Sequence, residues 1–241
     1  MKILELLYNS ENRYIDEIDR LEKNPEEVRF VDAGNSNGFV CLEAPENSFD
    51  WNIARLVGDW QIAKAVVGNI PFNDYVLLVD DGSELSDFLN FKPNGSLLYF
   101  ENSVSSEPVY DESDYKSYLN CSEMGLPKDS IRAKASALNS RIDDLYLVMK
   151  NRICGYIKVI KSTWHYAEVA IEINAEYRGQ GFGTVLMEQM VKQFAQKGLK
   201  MSYVVEEDNA PSVKLAENYL KQIFKLDKYV VRNERLVIGG M

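Results

Sequence analysis

One short segment combines residue types that suit the binding of an anion. The segment Gly179–Gly183 contains three of the chain's 14 glycines, and Arg178 directly precedes it. A strand-like apolar segment ends at Ile173, and a helical pattern begins at Phe182. Residues without a Cβ at the start of a helix leave the unsatisfied N–H groups of its first turn open to an anion. The pattern predicts a pyrophosphate-binding loop, with a flexible surface turn as the alternative.

Two common phosphate-binding motifs do not fit this segment. A P-loop requires Gly-Lys-Ser/Thr, which the chain lacks. A dinucleotide-binding motif requires a glycine where Thr184 stands, although Glu206 and Glu207 lie at about the distance of a ribose-binding acid. The segment Asn174–Arg178 also separates the strand from the first glycine, and the strands before it read as a hairpin rather than a βαβ unit.

The remaining pattern is R-x-x-G-x-G, which Arg178, Gly181 and Gly183 meet. With it, the chain from about Leu145 to Val231 resembles the GNAT family of acetyl-CoA-dependent N-acyltransferases. The resemblance includes the order hairpin, strand, glycine loop, helix, strand and helix, and Asn209 followed by Ser-Val-Lys-Leu-Ala-Glu. That order is most similar to a subgroup related to zwittermicin-resistance acetyltransferases, whose members also carry an extra N-terminal region.

The resemblance implies acetyl-CoA as cosubstrate and no metal. In the family the glycine loop and the helix N-terminus hold the coenzyme's pyrophosphate, where amide donors and the helix dipole favour negative charge. The pantetheine arm runs between two splayed parallel strands and pairs with the end of the first. The residues that the resemblance assigns to the coenzyme are Ile171, Ile173, Asn174, Arg178, Gly179, Gln180, Gly181, Phe182, Gly183, Thr184, Asn209 and Ser212.

Two glutamates are candidates for the base that deprotonates an amine. An alkylamine with a pKa of about 10.4 costs roughly 4–5 kcal/mol to deprotonate at pH 7, which a base or a desolvating pocket helps to supply. Glu168 and Glu172 stand on the strand that leads to the glycine loop, and their even separation places them on one face. Glu168 matches the glutamate that begins this strand in the subgroup, whereas other family members place the base one residue to either side. The alternative is that both are solvated strand residues.

The chain departs from the family pattern at the residue that protonates the departing thiolate. Family enzymes often use a tyrosine seven residues after the asparagine, and Ala216 stands there. Tyr219, one helical turn further on, is the candidate catalytic acid, with water or a mere packing role for Tyr219 as alternatives. His165, the only histidine, is interpreted as a loop or packing residue.

The composition excludes several other classes of protein. The 241 residues are 46% hydrophobic and 27% charged, as in globular proteins, and the net charge of −10 opposes the binding of nucleic acid, which requires a basic face. No stretch approaches the ~18 apolar residues of a membrane span, and no secretory signal is expected. The three cysteines are far apart and form no CxxC pair, which favours the cytoplasm. A single histidine makes a zinc site or a His-based triad unexpected.

The hydrophobic patterns alternate between helical and strand spacing, which predicts a mixed α/β fold. For the C-terminal part, the resemblance implies a GNAT acyl-CoA N-acyltransferase fold. The predicted helices cover residues 10–23, 59–67, 83–91, 115–122, 128–140, 182–197 and 212–221. The predicted strands cover residues 28–31, 38–42, 75–79, 96–100, 145–149, 153–160, 167–173, 201–205 and 228–238.

A polar segment divides the chain into two predicted domains. Residues 101–114 are rich in Ser, Glu, Asp and Asn and include Pro108, which is typical of a linker. We expect an N-terminal α/β region over residues 1–105 and an acetyltransferase domain over residues 109–241. The N-terminal region is either a degenerate duplicate of the same fold or an added region that shapes the acceptor site, with a solubilising or dimerising appendage as the alternative.

The expected reaction is transfer of an acetyl group by direct attack of a primary amine, without an acyl-enzyme. A small-molecule amine is favoured, because the subgroup acts on small molecules and acidic residues attract a cation. The acids considered are Asp50, Asp59, Asp80 and Asp81, and Trp51 and Trp60 are either core residues or part of the pocket. The alternatives are a protein N-terminus or lysine as acceptor, and a non-catalytic acyl-CoA-binding protein. A monomer or a homodimer is expected, without nucleic acid or membrane as partner.

Overall fold

The computed structural model describes residues 7–25, 28–32, 39–43, 52–57, 75–80, 93–102 and 130–231. The α-helices that lie wholly in these ranges are α1 (Ile15–Lys23), α2 (Phe182–Gln196) and α3 (Ala210–Tyr219), and residues 7–9 are also helical. The strands are β1 (Val28–Asp32), β2 (Phe39–Glu43), β3 (Asn52–Val57), β4 (Tyr75–Asp80), β5 (Gly95–Glu101), β6 (Ile131–Ala135), β7 (Asp143–Met149), β8 (Arg152–Ser162), β9 (Tyr166–Ile173), β10 (Lys200–Glu206) and β11 (Lys221–Val231).

Contacts divide the chain into two compact units, each built from several segments. The first unit contains Met1–Asp16, Tyr99–Val204 and Ala210–Ile223, and the second contains Glu17–Leu98, Val205–Asn209 and Phe224–Met241. The predicted domain boundary near residues 105–109 lies outside the described residues, and the two predicted domains stay a prediction.

The second unit is a mixed sheet with the strand order β1-β2-β3-β4-β11-β5. β1 pairs antiparallel with β2 and β2 with β3, whereas β3 is parallel to β4 and β4 antiparallel to β11. Exposure alternates along β4, where Tyr75, Leu77 and Val79 are buried, as expected for a strand with one face against a core. Arg55 on β3 is also buried, and its Nη2 lies 3.0 Å from the Asp80 carboxylate.

The first unit carries β10-β9-β8-β7-β6 in that order, with the end of β5 beside β10. β9 and β10 are parallel, and the pairs β8–β9, β7–β8 and β6–β7 are antiparallel. Helix α2 packs against β7, β8, β9 and α3. The residues of α2 that are buried in this packing are Phe182, Leu186, Met187, Gln189, Met190, Gln193 and Phe194.

Two tight turns fix the ends of these elements. Lys150 and Asn151 join β7 to β8 with φ values of 48° and 60°, the left-handed backbone that a two-residue type I′ hairpin requires. Gly198 follows α2 with φ of 63°, and the N–H of Leu199 donates to the carbonyl of Phe194. A left-handed glycine with this hydrogen bond is a common helix end. The predicted hairpin and the predicted end of the helix at Gly198 are confirmed.

One predicted helix is wrong. The sequence suggested a helix over residues 128–140, but Ile131–Ala135 forms β6 and pairs antiparallel with β7, with Ile131 opposite Leu147. Arg132, Ala133 and Lys134 are good helix formers, so local propensity favours a helix, and pairing with β7 overrides it. β6 occupies the end of the strand order, and its residues after Ile131 are exposed.

The other element predictions fall into three groups. The predicted strands from residue 28 to residue 205 and the helices over residues 182–197 and 212–221 are confirmed within two residues at each end. The helix predicted over residues 10–23 is two pieces, a 3₁₀ turn at Glu11–Arg13 and α1. The sequence missed β3 and the first half of β11. Of the strand predicted over residues 228–238, residues 228–231 are confirmed and residues 232–238 lie outside the described residues. The helices predicted over residues 59–67, 83–91 and 115–122, the linker, Trp51, Trp60, Asp50, Asp59 and Asp81 lie outside the described residues.

Candidate active site

The glycine loop presents a run of backbone donors. Among the described residues, the N–H groups from Gly179 to Thr184 have no hydrogen-bond acceptor, and the first amide that bonds back into the helix is that of Val185, to the carbonyl of Gly181. Gly179 and Gly181 have φ values of 73° and 81°, and an added Cβ would meet no atom within 4 Å at either position. The backbone conformation therefore requires glycine, and the space beside it is open. Such a loop is chemically suited to a phosphate.

Side chains around the loop fix its shape. The Arg178 Nε donates to the carbonyl of Ile173 over 2.8 Å, the Asn174 Nδ2 donates to the carbonyl of Ile153 over 3.0 Å, and the Gln180 Nε2 donates to the carbonyl of Glu176 over 3.2 Å. Arg178 and Asn174 therefore fasten the loop to the ends of β9 and β8, and Gln180 adds a bond within the loop. The Ile173 carbonyl that Arg178 engages is one of the backbone groups that the sequence assigned to the pantetheine arm.

The start of α2 lies close to the end of β9. An added Cβ at Gly183 would lie 3.6 Å from Leu215 Cδ2, 3.8 Å from Ile173 Cγ1 and 3.9 Å from Ile171 Cδ1. Phe182 is buried, with 9% of its surface exposed. Apolar side chains therefore pack next to the start of α2, namely those of Ile171, Ile173 and Phe182. The backbone of the loop remains exposed.

The parallel strands β9 and β10 separate part of the way along. Their ladder joins Lys200 to Tyr166, Met201 to Ala167 and Ser202 to Glu168, and it ends there although β9 continues to Ile173 and β10 to Glu206. We call this point, at Ser202 and Glu168, the fork. Backbone groups beyond a fork are free of the ladder on the facing edges, so an extended ligand can lie between the strands.

Glu168 is buried at the fork, with 6% of its surface exposed. Its carboxylate lies 3.6 Å from the Lys161 Nζ, and the same Nζ lies 2.9 Å from the Asp16 carboxylate. Burial by itself lowers the pKa of Lys161, but the charges of Glu168 and Asp16 outweigh it and raise that pKa above its ordinary value. Lys161 is therefore an ammonium at neutral pH, and its charge favours the ionised carboxylate beside it.

A β-bulge brings Lys161 to Glu168. In the ladder of β8 and β9, Val159 is opposite Val169, but the next pair is Lys161 with Glu168, because the register shifts between them. Without the shift, Ile160 would lie opposite Glu168. An extra residue that redirects a side chain is a known use of bulges near functional sites. Lys161 was not predicted from the sequence, because the alternating pattern of β8 alone gives no signal for the bulge.

Glu172 has a different environment from Glu168. It is exposed, and its Oε2 accepts a hydrogen bond of 2.6 Å from the Tyr156 hydroxyl on β8. This hydrogen bond raises the pKa of Tyr156, because it stabilises the protonated phenol. A solvated carboxylate of this kind is a weaker candidate for the base than Glu168.

The residues predicted after β10 lie around α3. Asn209 precedes α3, and its N–H donates to the Glu206 carbonyl over 3.0 Å. Ser212 forms a hydrogen bond to the hydroxyl of Tyr203, a buried residue on β10 just past the fork whose pKa is raised by burial. Tyr219 has a pKa raised first by burial and then by the charge of Glu188 on α2. Tyr203 was missed in the sequence, where it reads as an ordinary strand residue.

A cleft lies near the start of β9, at the end away from the glycine loop. This cleft of about 380 Å³ is lined by Tyr8, Asn9, Glu11, Asn12, His165, Tyr166, Gly198 and Lys200. The Glu11 carboxylate lies 2.8 Å from the His165 Nδ1 and accepts from the His165 N–H over 3.0 Å and from the Thr163 hydroxyl. These hydrogen bonds lower the pKa of Glu11 against the opposing effect of burial. His165 is thus a loop residue that anchors the N-terminal segment.

Two further features of the described ranges bear on partners. None of the helices in these ranges is long and apolar enough to cross a membrane. Within the same ranges, no three His, Cys, Asp or Glu side chains gather as a metal ion would require.

Comparison with known proteins bears on the region that holds this site. Residues 109–220 match the family model described as the acetyltransferase (GNAT) family, and this range includes the fork, the glycine loop and α3. No curated protein is significantly similar in sequence to the chain.

Several solved structures are similar to the chain. A GCN5-related N-acetyltransferase-like protein from Streptococcus suis 89/1591 is 15% identical, with 90% of this chain and 98% of that chain covered and a TM-score of 0.48. A putative GNAT-family acetyltransferase from Novosphingobium aromaticivorans is 14% identical, covers 88% and 94% of the two chains, and has a TM-score of 0.46. A Drosophila protein is 11% identical, covers 95% and 90%, and has a TM-score of 0.51, a likeness of fold alone.

The predicted mixed α/β fold is confirmed, and the family-model match agrees with the predicted resemblance of the C-terminal part to the GNAT family. Residues 109–220 are therefore similar to the GNAT acetyltransferase family.

Proposed function

We propose that this protein is an acetyl-CoA-dependent N-acetyltransferase whose acceptor is a primary amine. The observation that carries the proposal is the buried Glu168 carboxylate at the fork, on the strand that leads directly to a loop of open backbone donors. The strand thus carries a base, and an anion-binding loop follows its end. This arrangement suits a reaction in which an amine attacks a thioester carried by a phosphate-containing coenzyme.

The glycine loop fits the coenzyme's pyrophosphate. The unsatisfied N–H groups from Gly179 to Thr184 and the positive end of α2 favour an anion there. The coenzyme supplies an acetyl group activated as a thioester. The residues proposed to hold it are those of the loop, Arg178, Gly179, Gln180, Gly181, Phe182, Gly183 and Thr184, together with Ile171, Ile173, Asn174, Asn209 and Ser212.

Glu168, ahead of Glu172, is proposed as the base. The amine nitrogen forms a bond to the acetyl carbonyl carbon, the carbon–sulfur bond breaks, and the proton leaves the nitrogen for the Glu168 carboxylate. Lys161 favours the ionised form of Glu168 and so keeps it able to accept that proton. The departing thiolate takes a proton from Tyr219 or from water.

The acceptor is proposed to be a small cationic amine. The order of residues from Asn209 onward, which resembles the zwittermicin-resistance subgroup, and the net charge of −10 both favour it. The N-terminal residues are proposed to help shape the acceptor site, and the first unit offers one supporting contact. Asp16 comes from the N-terminal segment of that unit and binds Lys161, which in turn binds Glu168.

The cysteines and the net charge bear on the location and the partners of the protein. Cys41 and Cys154 are buried and form no disulfide, which agrees with a cytoplasmic protein, and we propose a monomer or a homodimer. Neither nucleic acid nor membrane is proposed as a partner, because the chain is strongly acidic.

Incubation of the full chain with acetyl-CoA and a panel of primary amines, including polyamines, aminoalcohols and peptides with free N-termini, tests the function. Thiol release and mass spectrometry of the products should show acetylation of at least one small amine. The Gly181→Glu variant is the negative control, because it places a carboxylate in the loop. Acetylation of peptides alone would replace the small-molecule acceptor with a protein acceptor. Binding of acetyl-CoA without any product would support the non-catalytic alternative.

A further inference from the structure

Ser202 has a buried hydroxyl at the fork. It lies on β10 opposite Glu168, at the last paired step of the ladder, and 1% of its surface is exposed. Its Oγ has no hydrogen-bond partner among the described residues. Buried hydroxyls are nearly always satisfied, because leaving one without a partner is costly. The position of this hydroxyl therefore requires an explanation.

The matched case in the second unit shows what a structural serine looks like. Ser96 on β5 is equally buried, at 3% exposure, and its hydroxyl donates to the Asp227 carboxylate over 2.9 Å. Ser96 thus contributes to the fold through a partner. Ser202 has no such partner, although both serines are on strands and face a protein interior.

The Ser202 hydroxyl and the Glu168 carboxylate point to the same side of the sheet. Residues paired directly across parallel strands have side chains on one face, and the strands lie about 4.8 Å apart. The next residue along, Tyr203, is on the other face, where it bonds to Ser212 of α3. The proposed base and an unsatisfied hydroxyl are therefore neighbours where β9 and β10 separate.

We infer that Ser202 contacts the acceptor and receives a hydrogen bond from the attacking nitrogen. This inference rests on the proposed function. A neutral primary amine has two N–H groups and one lone pair. With one N–H directed to Glu168 and the other to the Ser202 Oγ, the lone pair is left to form the new bond. A secondary amine has a single N–H and cannot satisfy both oxygens, so Ser202 makes the site selective for primary amines.

The test compares Ser202→Ala with Ser96→Ala in the full chain. The substrates are the best primary amine of the panel and its N-methyl derivative. Ser202→Ala should lower kcat/KM for the primary amine about tenfold, the usual effect of one lost hydrogen bond, and the N-methyl amine much less. The Kd of acetyl-CoA should be unchanged. The melting temperature of Ser202→Ala should not fall, because no hydrogen bond within the protein is lost, whereas that of Ser96→Ala should fall.

Several results would overturn the inference. A Ser202→Ala variant that keeps the primary-to-secondary ratio of the wild type shows that the hydroxyl does not bind the nitrogen. A melting temperature lowered as in Ser96→Ala, with unchanged turnover, shows that the hydroxyl is structural and satisfied through water. Weaker acetyl-CoA binding with an unchanged amine KM assigns it to the coenzyme instead. A wild type that acetylates no amine overturns the proposed function, and this inference falls with it.

Discussion

The two ends of the candidate site are built from different parts of the polypeptide. The glycine loop offers backbone N–H groups in an exposed setting, and no charged side chain is needed to complete it. The fork offers side chains in a buried setting, where Glu168, Lys161 and Asp16 form a network of charges. Binding by backbone N–H groups should survive changes of neighbouring side chains but not replacement of a glycine that the loop conformation requires. Chemistry that depends on side chains should be lost when one of those side chains is changed. Substitutions at the two ends should therefore have separable effects.

The largest effect is expected from Gly181→Glu. A carboxylate about 4 Å from a phosphate charge costs about 4 kcal/mol in a partly exposed site, so acetyl-CoA-dependent turnover should fall by a factor of ~10²–10³. Gly198→Glu is the matched control, because Gly198 flanks the other end of α2 with a left-handed φ and open space. Both variants should keep a native far-UV circular dichroism spectrum. Equal losses in the two variants would show that backbone strain, and not phosphate binding, explains the loss.

The next largest effect is expected from Glu168→Gln. Loss of the base should lower kcat by about 10²–10⁴-fold at neutral pH, with partial recovery as the pH approaches the pKa of the amine. Glu172→Gln is the control, and its exposed position predicts only a small change. Steady-state rates across pH 6–10 provide the measurement. A Glu168→Gln profile with the height and shape of the wild type would remove Glu168 from the mechanism.

A smaller effect is expected from Lys161→Met. The substitution leaves the buried Glu168 without its cation, which costs 3–5 kcal/mol for a fully buried pair and about 1–3 kcal/mol here, since the Lys161 side chain is 27% exposed. Lys192→Met, which removes an exposed i,i+4 pair with Glu188, should cost less than about 0.5 kcal/mol.

Urea unfolding should also show how the Lys161 effect depends on pH. The folded-state pKa of Lys161 is raised, so its stabilising contribution is complete below the unfolded pKa and is lost only as pH rises through the folded value. The difference between wild type and Lys161→Met should therefore be constant from pH 7 to 9. A difference that disappears within this range would show that the ammonium does not bind the carboxylates.

The smallest effect is expected at the other end of β9, from Glu11→Gln. The pKa of Glu11 is lowered, so its contribution is present above the unfolded value and is lost as pH falls through the folded value. The loss of stability should be about 0.5–1 kcal/mol at pH 7, since the site is partly exposed, and close to zero near pH 3. Turnover should not change. A penalty that stays the same at both pH values would show that the charge of Glu11 is not what holds His165.

The contrast between the backbone-built loop and the side-chain-built fork also explains which features could be predicted from the sequence. The glycine loop, the hairpin and the start of α2 depend on local backbone requirements, so Gly181 and Asn151 reveal them directly. The identity of Glu168 as a candidate base followed from its resemblance to the family. The neighbours of Glu168 could not be predicted from the sequence. Lys161 lies next to Glu168 because the register of β8 shifts, and Ser202 lies next to it because β10, more than thirty positions further along the chain, pairs with β9. β6 was predicted as a helix for the same reason, since only its pairing with β7 makes it a strand.

Calorimetric titration of acetyl-CoA into wild type, Gly181→Glu and Glu168→Gln tests the central claim most directly. In this proposal the glycine loop alone binds the phosphates of the coenzyme, and the fork binds the acceptor. Glu168→Gln should therefore bind acetyl-CoA with the Kd of the wild type, and Gly181→Glu should show no measurable binding. Undiminished binding by Gly181→Glu, or a loss in Glu168→Gln as large as that in Gly181→Glu, would contradict the division of the site into these two parts.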